Sequence, residues 1–122
     1  MFLKLPIPPS TNELYVYLRK GNRRVASKKY VAWRMIAALM LANQKKVTFQ
    51  EVDTITISVH PNKRRDIDNY AKATLDLLVG HGIMVDDRIV KRLVVERDGS
   101  VPPDEAYVSI QGEYTEWAGP RK

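Results

Sequence analysis

Val52-Asp53-Thr54-Ile55-Thr56-Ile57-Ser58-Val59-His60 and, a short basic step later, Asp66-Ile67-Asp68-Asn69-Tyr70-Ala71-Lys72-Ala73-Thr74-Leu75-Asp76-Leu77-Leu78-Val79-Gly80-His81 decide the fold class, because their apolar residues repeat with different periods. In the first stretch Ile55, Ile57 and Val59 alternate with Thr54, Thr56 and Ser58. A period of two in β-branched residues predicts a strand with one apolar face. In the second, Ile67, Ala71, Thr74, Leu75 and Leu78 fall along one stripe, and Gly80 and Gly82 supply stop signals. That spacing predicts a helix from Asp66 to His81.

Working outward, Phe2 to Ile7 reads as a short first strand stopped by Pro8-Pro9. The segment from Ser10 to about Val25 holds Gly21, Asn22 and many long basic side chains, with weak periodicity of either kind. It is expected to be a mobile or ligand-ordered loop. Tyr30, Val31, Arg34, Met35, Ala38, Leu39 and Ala42 then recur at three- and four-residue spacing behind Ser27, which predicts a helix over 27–44 with Ser27 as N-cap. Trp33, Met35, Leu39 and Met40 read as its core and packing residues. Strands are expected over 89–97 and 106–113, joined by a turn-rich link, and the tail from Thr115 is expected to fray. The sum is one α+β domain over residues 1–122, with a mixed or antiparallel sheet of about four strands and two helices packed on it.

Composition bounds the chemistry. With 44% hydrophobic and 28% charged residues the 122-residue chain can bury a modest core without disulfides or a structural metal. The absence of cysteine removes thiol catalysis and thiolate zinc sites, and is compatible with a reducing compartment. The longest mainly apolar run, Val31 to Ala42, is interrupted by Arg34 and falls short of the roughly 20 residues a membrane span needs. The start, Met1-Phe2-Leu3-Lys4-Leu5-Pro6, lacks the order of a secretory signal, so a cytoplasmic address is expected.

A net charge of +6 and a pI near 9.7 point to a polyanionic partner. The charge is regional: no Asp or Glu occurs between Leu14 and Gln50, where Arg19, Lys20, Arg23, Arg24, Lys28, Lys29, Arg34, Lys45 and Lys46 lie. A surface that tracks phosphates would be arranged so. Tyr15 and Tyr17, set in this segment, are suited either to stack on bases or to pack the loop.

Asp66 and Asp68 stand one residue apart where the strand-like segment meets a helix start, so both can point at one spot if the backbone there is extended. Hard divalent cations take oxygen ligands, and magnesium commonly uses one or two carboxylates and keeps its other positions for water and substrate phosphate. The plain alternative is that either acid caps the helix, and that Asp86-Asp87 is ordinary turn chemistry. Lys72 lies four residues after Asp68 and four before Asp76. It reads equally as part of a salt-bridge ladder and as a donor to a phosphate oxygen in a transition state. His60 and His81 have no paired histidine nearby and read as packing or surface residues.

Taken together, Pro8-Pro9-Ser10-Thr11-Asn12-Glu13-Leu14-Tyr15, then Arg65-Asp66-Ile67-Asp68-Asn69-Tyr70-Ala71-Lys72, Asp76, and Gly82-Ile83-Met84-Val85-Asp86-Asp87 resemble the RusA family of Holliday junction resolvases through nearly the full chain. The combination of Asp-x-Asp-Asn-x-x-Lys with Gly-x-x-x-Asp-Asp is far more specific than either part. The resemblance implies a magnesium-dependent homodimer that makes paired symmetric nicks in four-way DNA junctions, in bacteria, phages or prophages. It implies Asp66, Asp68 and Asp87 as metal-binding acids, Lys72 as the essential lysine, Asp86 as a supporting neighbour and Arg65 as a phosphate contact. Tyr70 stands where an aliphatic residue is common, and the 19–29 segment carries none of the motif residues quoted above. Arg19, Lys20, Arg23, Arg24, Lys28 and Lys29 are therefore expected DNA contacts on charge alone. The rival readings are a DNA-binding module without catalysis and a divalent-metal nuclease for flaps or other branches.

Overall fold

The structure, a computed structural model, describes residues 1–21 and 23–121. Its strands are β1 (Phe2–Pro6), β2 (Tyr15–Leu18), β3 (Arg23–Ala26), β4 (Val47–Val59), β5 (Leu93–Arg97) and β6 (Glu105–Glu116), and its helices are α1 (Lys28–Ala42) and α2 (Ala71–Gly80). Four strands form the main sheet in the order β1-β6-β4-β5. β6 runs antiparallel to β1 and β4, whereas β4 and β5 are parallel and are joined through α2. This is the mixed α+β sheet with two helices that the two periodicities predict, since a parallel pair requires a crossover long enough to hold a helix.

One face of the sheet carries the core. Leu3 and Leu5 of β1, Ile55, Ile57 and Val59 of β4, and Ala106, Val108 and Ile110 of β6 are fully buried in one cluster with Tyr30, Trp33, Ala37 and Leu41 of α1 and Ala73, Leu77 and Leu78 of α2. Each fully buried aliphatic side chain contributes on the order of 1.5–3 kcal/mol, against roughly 0–1 kcal/mol for an exposed ion pair. Apolar packing therefore holds the scaffold. Val52 is also buried, although strict alternation from Ile55 would turn it outward. The pairing of β4 with β6 slips between Val52 and Thr54, and this bulge brings Val52 back to the core side. Opposite it, a Cβ on Gly112 would stand 2.1 Å from the Glu51 carbonyl oxygen, so glycine is required there.

The segment expected to be a mobile loop is instead a β-hairpin in a sheet of its own. β2 and β3 pair from Tyr15↔Ala26 to Leu18↔Arg23, with Gly21 at the turn in a left-handed conformation. Asn22, part of that expected loop, lies outside the described residues. The hairpin escapes a period test because Val16, Tyr17 and Leu18 are all exposed, so neither face is marked by burial.

Ser27 caps α1 as predicted, accepting from the Tyr30 N–H at 3.0 Å. The helix ends at Ala42 rather than residue 44, because the Gln44 side chain turns to β1, where it accepts from the Lys4 N–H and donates to the Lys4 carbonyl, both at 2.7 Å. A further correction concerns its faces. Trp33 is in the core, but Met35 and Leu39 are exposed, because the inward stripe is Tyr30, Trp33, Ala37 and Leu41.

The second predicted helix is divided. Ile67–Tyr70 form a 3₁₀ turn and the α-helix begins at Ala71, an arrangement common at helix starts. β5 begins at Leu93 rather than 89, because Asp87–Ile89 form another 3₁₀ turn. The tail is docked rather than frayed. β6 continues to Glu116, Trp117 Nε1 donates to the His81 carbonyl at 3.0 Å, the Ala118 N–H donates to Thr48 Oγ1 at 3.0 Å, and the Arg121 N–H donates to the Gly80 carbonyl at 2.9 Å. Gly82 at φ 76° accepts this approach, since a Cβ there would lie 1.9 Å from the Gly119 oxygen. Both histidines pack: His81 stacks on Trp117 and His60 Nδ1 lies 2.8 Å from the Val101 oxygen.

Candidate active site

Three short segments converge on one open cleft of about 540 Å³. It is lined by Thr11 and Asn12 from the 3₁₀ turn before the hairpin, Asp68, Asn69, Ala71, Lys72, Leu75 and Asp76 from the start of α2, and Asp87 from the turn before β5. The sheet holds these turns in place. Phe49 of β4 donates to the Ile83 carbonyl at 2.8 Å and accepts from the Val85 N–H at 3.2 Å, and Val52 accepts from the Lys91 N–H at 2.9 Å, so the segment carrying Asp87 is fixed on both sides by β4. At the other turn, Thr11 Oγ1 donates to the Asn69 carbonyl at 3.4 Å and the Asn69 N–H donates to the Asp66 carbonyl at 3.1 Å.

Asp66 occupies the N-cap position with an extended backbone, yet its side chain makes no capping hydrogen bond. Asp66, Asp68 and Asp87 are exposed, and among the described residues none of their carboxylates pairs with a lysine, arginine or histidine, although the Asp87 carboxyl lies beside that of Asp86. Asp86 behaves differently. It caps the Asp87–Ile89 turn, accepting from the Arg88 N–H at 2.9 Å and from the Arg88 guanidinium at 3.1 and 3.2 Å. Those bonds hold its carboxyl well below the usual carboxylate range. The turn reading thus applies to Asp86, and its neighbour Asp87 is left to face the cleft.

Lys72 forms an ion pair with Asp76 at 3.3 Å, with both side chains substantially exposed. No such pair joins Lys72 to Asp68 among the described residues, so the expected ladder is half built. Asp66 does not line the cleft, and among the described residues no three His, Cys, Asp or Glu side chains are gathered closely enough to enclose a cation. The donor chemistry nevertheless fits a hard cation: carboxylates with no basic partner, two of them lining one open cleft.

Arg65 is half-buried. Its guanidinium lies over the Tyr70 ring at 3.9 Å and donates to the Asn69 carbonyl at 3.2 Å, and burial pushes its pKa down. It supports the turn that presents Asp68. Arg19, Lys20, Arg23, Arg24, Lys28 and Lys29 are all exposed on the hairpin and the start of α1, with Arg24 over the Tyr15 ring at 4.2 Å and Lys29 paired with Glu13. Thr11 and Asn12 belong to the Pro8-to-Tyr15 motif, but nothing local in the sequence assigns them a role. Their place in the cleft depends on packing between distant segments, which local pattern does not carry.

The sequence model described as Endodeoxyribonuclease RusA matches residues 6–111, most of the chain. No curated protein matches the chain. The chain belongs to the RusA endodeoxyribonuclease family, a family of nucleases.

Proposed function

We propose that this RusA-family endonuclease resolves four-way DNA junctions by paired symmetric nicks, with magnesium as its cofactor, as one domain acting in a homodimer. We place it in the cytoplasm of a bacterial or phage-infected cell; no helix among the described residues is long and apolar enough to cross a membrane. The observation that carries the reading is the meeting of the two family motifs, Asp68 and Lys72 from one and Asp87 from the other, along a single cleft.

In this reading Asp66, Asp68 and Asp87 hold the magnesium and Asp86 stiffens the turn behind Asp87. Magnesium needs only one or two protein carboxylates, so Asp68 and Asp87, which share the cleft, would be its main seat, and Asp66, outside the cleft, would have to turn inward to complete it. Bound there, it supplies neutralisation of the phosphate and activation of water at neutral pH. Lys72 donates a hydrogen bond to a phosphate oxygen, where negative charge grows in the transition state. Thr11 and Asn12, which also line the cleft, limit how the strand lies in it. Arg19, Lys20, Arg23, Arg24 and Lys28 contact phosphates of the junction arms, Lys29 joins them on release from Glu13, and Arg65 adds a contact at the edge of its stack.

A dimer follows from the substrate. Two coordinated cuts on a two-fold symmetric junction are met most simply by two identical sites related by a two-fold axis. The test is nicking of a synthetic four-way junction, a flap and a linear duplex, each with magnesium and with chelator. Junction-selective, magnesium-dependent nicking is expected, and Asp68→Asn should bind the junction while losing cleavage by roughly 10²–10³-fold or more. Equal cutting of the duplex, tight junction binding without any cleavage, or wild-type cutting by Asp68→Asn would each overturn the reading.

A further inference from the structure

Helix α1 is apolar nearly all the way round. Its only charged residues are Lys28, Lys29 and Arg34, and the guanidinium of Arg34 lies over the core residue Tyr30 at 4.4 Å. One side, Tyr30, Trp33, Ala37 and Leu41, is in the core. The other leaves Val31 at 42%, Met35 at 64%, Ile36 at 51% and Leu39 at 71% exposure, with Ala32 and Ala42 also exposed. A helix apolar on all sides is ordinarily covered on all sides. Here half of it faces water.

We infer that this face is the surface on which a second copy of the chain docks, α1 against α1 in antiparallel. The inference rests on the dimer in the reading above and names its surface. Val31, Met35 and Leu39 follow one another at four-residue steps and form a single ridge. Met35 is the midpoint of Lys28–Ala42, with Val31 and Leu39 at equal steps on either side. A two-fold axis through Met35 therefore sets Met35 against itself and Val31 of each copy against Leu39 of the other, which is the self-complementarity that a two-fold interface demands.

Area supports the same occupant. The four large side chains expose on the order of 400 Å², the size of the largest apolar patch on a typical monomer. Two copies would hide on the order of 800 Å² from these residues, and the flanking alanines and lysine stems carry the total towards the lower bound of specific interfaces, about 1,200 Å². The ridge holds no charge, so pairing leaves no buried ion unpaired. DNA would find no phosphate donor on it. A membrane surface would favour a helix with a strongly polar opposite face, whereas here the opposite face is core.

The chain has no cysteine, so a single introduced thiol reports one contact. Under mild oxidation Met35→Cys should form a disulfide-linked dimer. Val31→Cys mixed with Leu39→Cys should cross-link across the mixture far better than either alone. Leu39→Glu, at an exposed position, should keep the wild-type circular dichroism and raise the dimer dissociation constant at least about a hundredfold by light scattering, since two carboxylates would be forced into the seam. A wild-type dimer that Leu39→Glu leaves intact and Met35→Cys does not link would overturn this surface while the resolvase reading stands. A wild-type protein that stays monomeric at micromolar concentration would overturn both the surface and the dimer. Binding of the monomer to anionic phospholipid vesicles, lost in Leu39→Glu, would assign the face to a membrane and also overturn the inference.

Discussion

The cleft and the β2–β3 hairpin differ in how firmly the fold holds them. Asp87 sits on a segment hydrogen-bonded to β4 before and after it, and Asp68 stands on a turn braced by Thr11, Arg65 and the start of α2. The hairpin forms its own two-stranded sheet, tied to the body through buried Leu14, the Ser27 N–H to Leu14 carbonyl bond at 2.9 Å, and the edge contact of Tyr15 with Tyr30. A two-stranded hairpin alone is marginally stable. Groups that must meet a reacting phosphate need fixed spacing, since small misplacements cost rate steeply. Groups that follow a flexible polyanion need charge and reach. The molecule ties its acids to the main sheet and sets Arg19, Lys20, Arg23 and Arg24 on a separate hairpin.

The sharpest way to break this contrast is at Lys72. Lys72→Ala should lower the single-turnover cleavage rate by about a hundredfold or more. The lost exposed pair with Asp76 should change stability by only about 0.5 kcal/mol. Asp76→Ala removes the same pair, so equal rate losses in the two variants would reduce Lys72 to a surface ion pair. Next is the hairpin. Arg19→Ala combined with Arg23→Ala should weaken junction binding and lower the slope of log affinity against log salt by about one unit for each cation removed. The melting temperature should hold, and an unchanged slope would remove the hairpin from the DNA contacts. Smallest is Gly82→Ala, at a positive φ where the Gly119 carbonyl leaves no room for a Cβ. It should cost at least about 1 kcal/mol, a fall of about 4 °C in melting temperature. A neutral result by differential scanning calorimetry would mean that the tail is not tightly seated.

Sequence reading reached the α+β class, the cap at Ser27, the alternation of Ile55, Ile57 and Val59, and the acids that line the cleft. These are local signals: a period, a cap, a motif. What it missed depends on contacts between distant residues. The hairpin has no buried face to mark its alternation. Val52 turns inward only because a bulge, matched by Gly112 on β6, shifts the phase. The docked tail needs Trp117 to meet His81 across the chain. On α1 the three- and four-residue spacing of Val31, Met35 and Leu39 reads as the core stripe, but the helix is apolar nearly all round and the stripe of Trp33, Ala37 and Leu41 is the one that faces the core.

β4 contacts the Asp87 segment through Phe49 and Val52, and its far end, Val59, leads into the step that carries Asp66 and Asp68. The spacing of the acids is therefore written along the most deeply built strand of the protein, whose inward residues are also its core. Loss of the β4–β6 pairing would expose Ile55 and Ile57 to water and remove the support of the Asp87 segment at the same time. Unfolding of the core and loss of the Asp87 side of the site are thereby coupled through one strand.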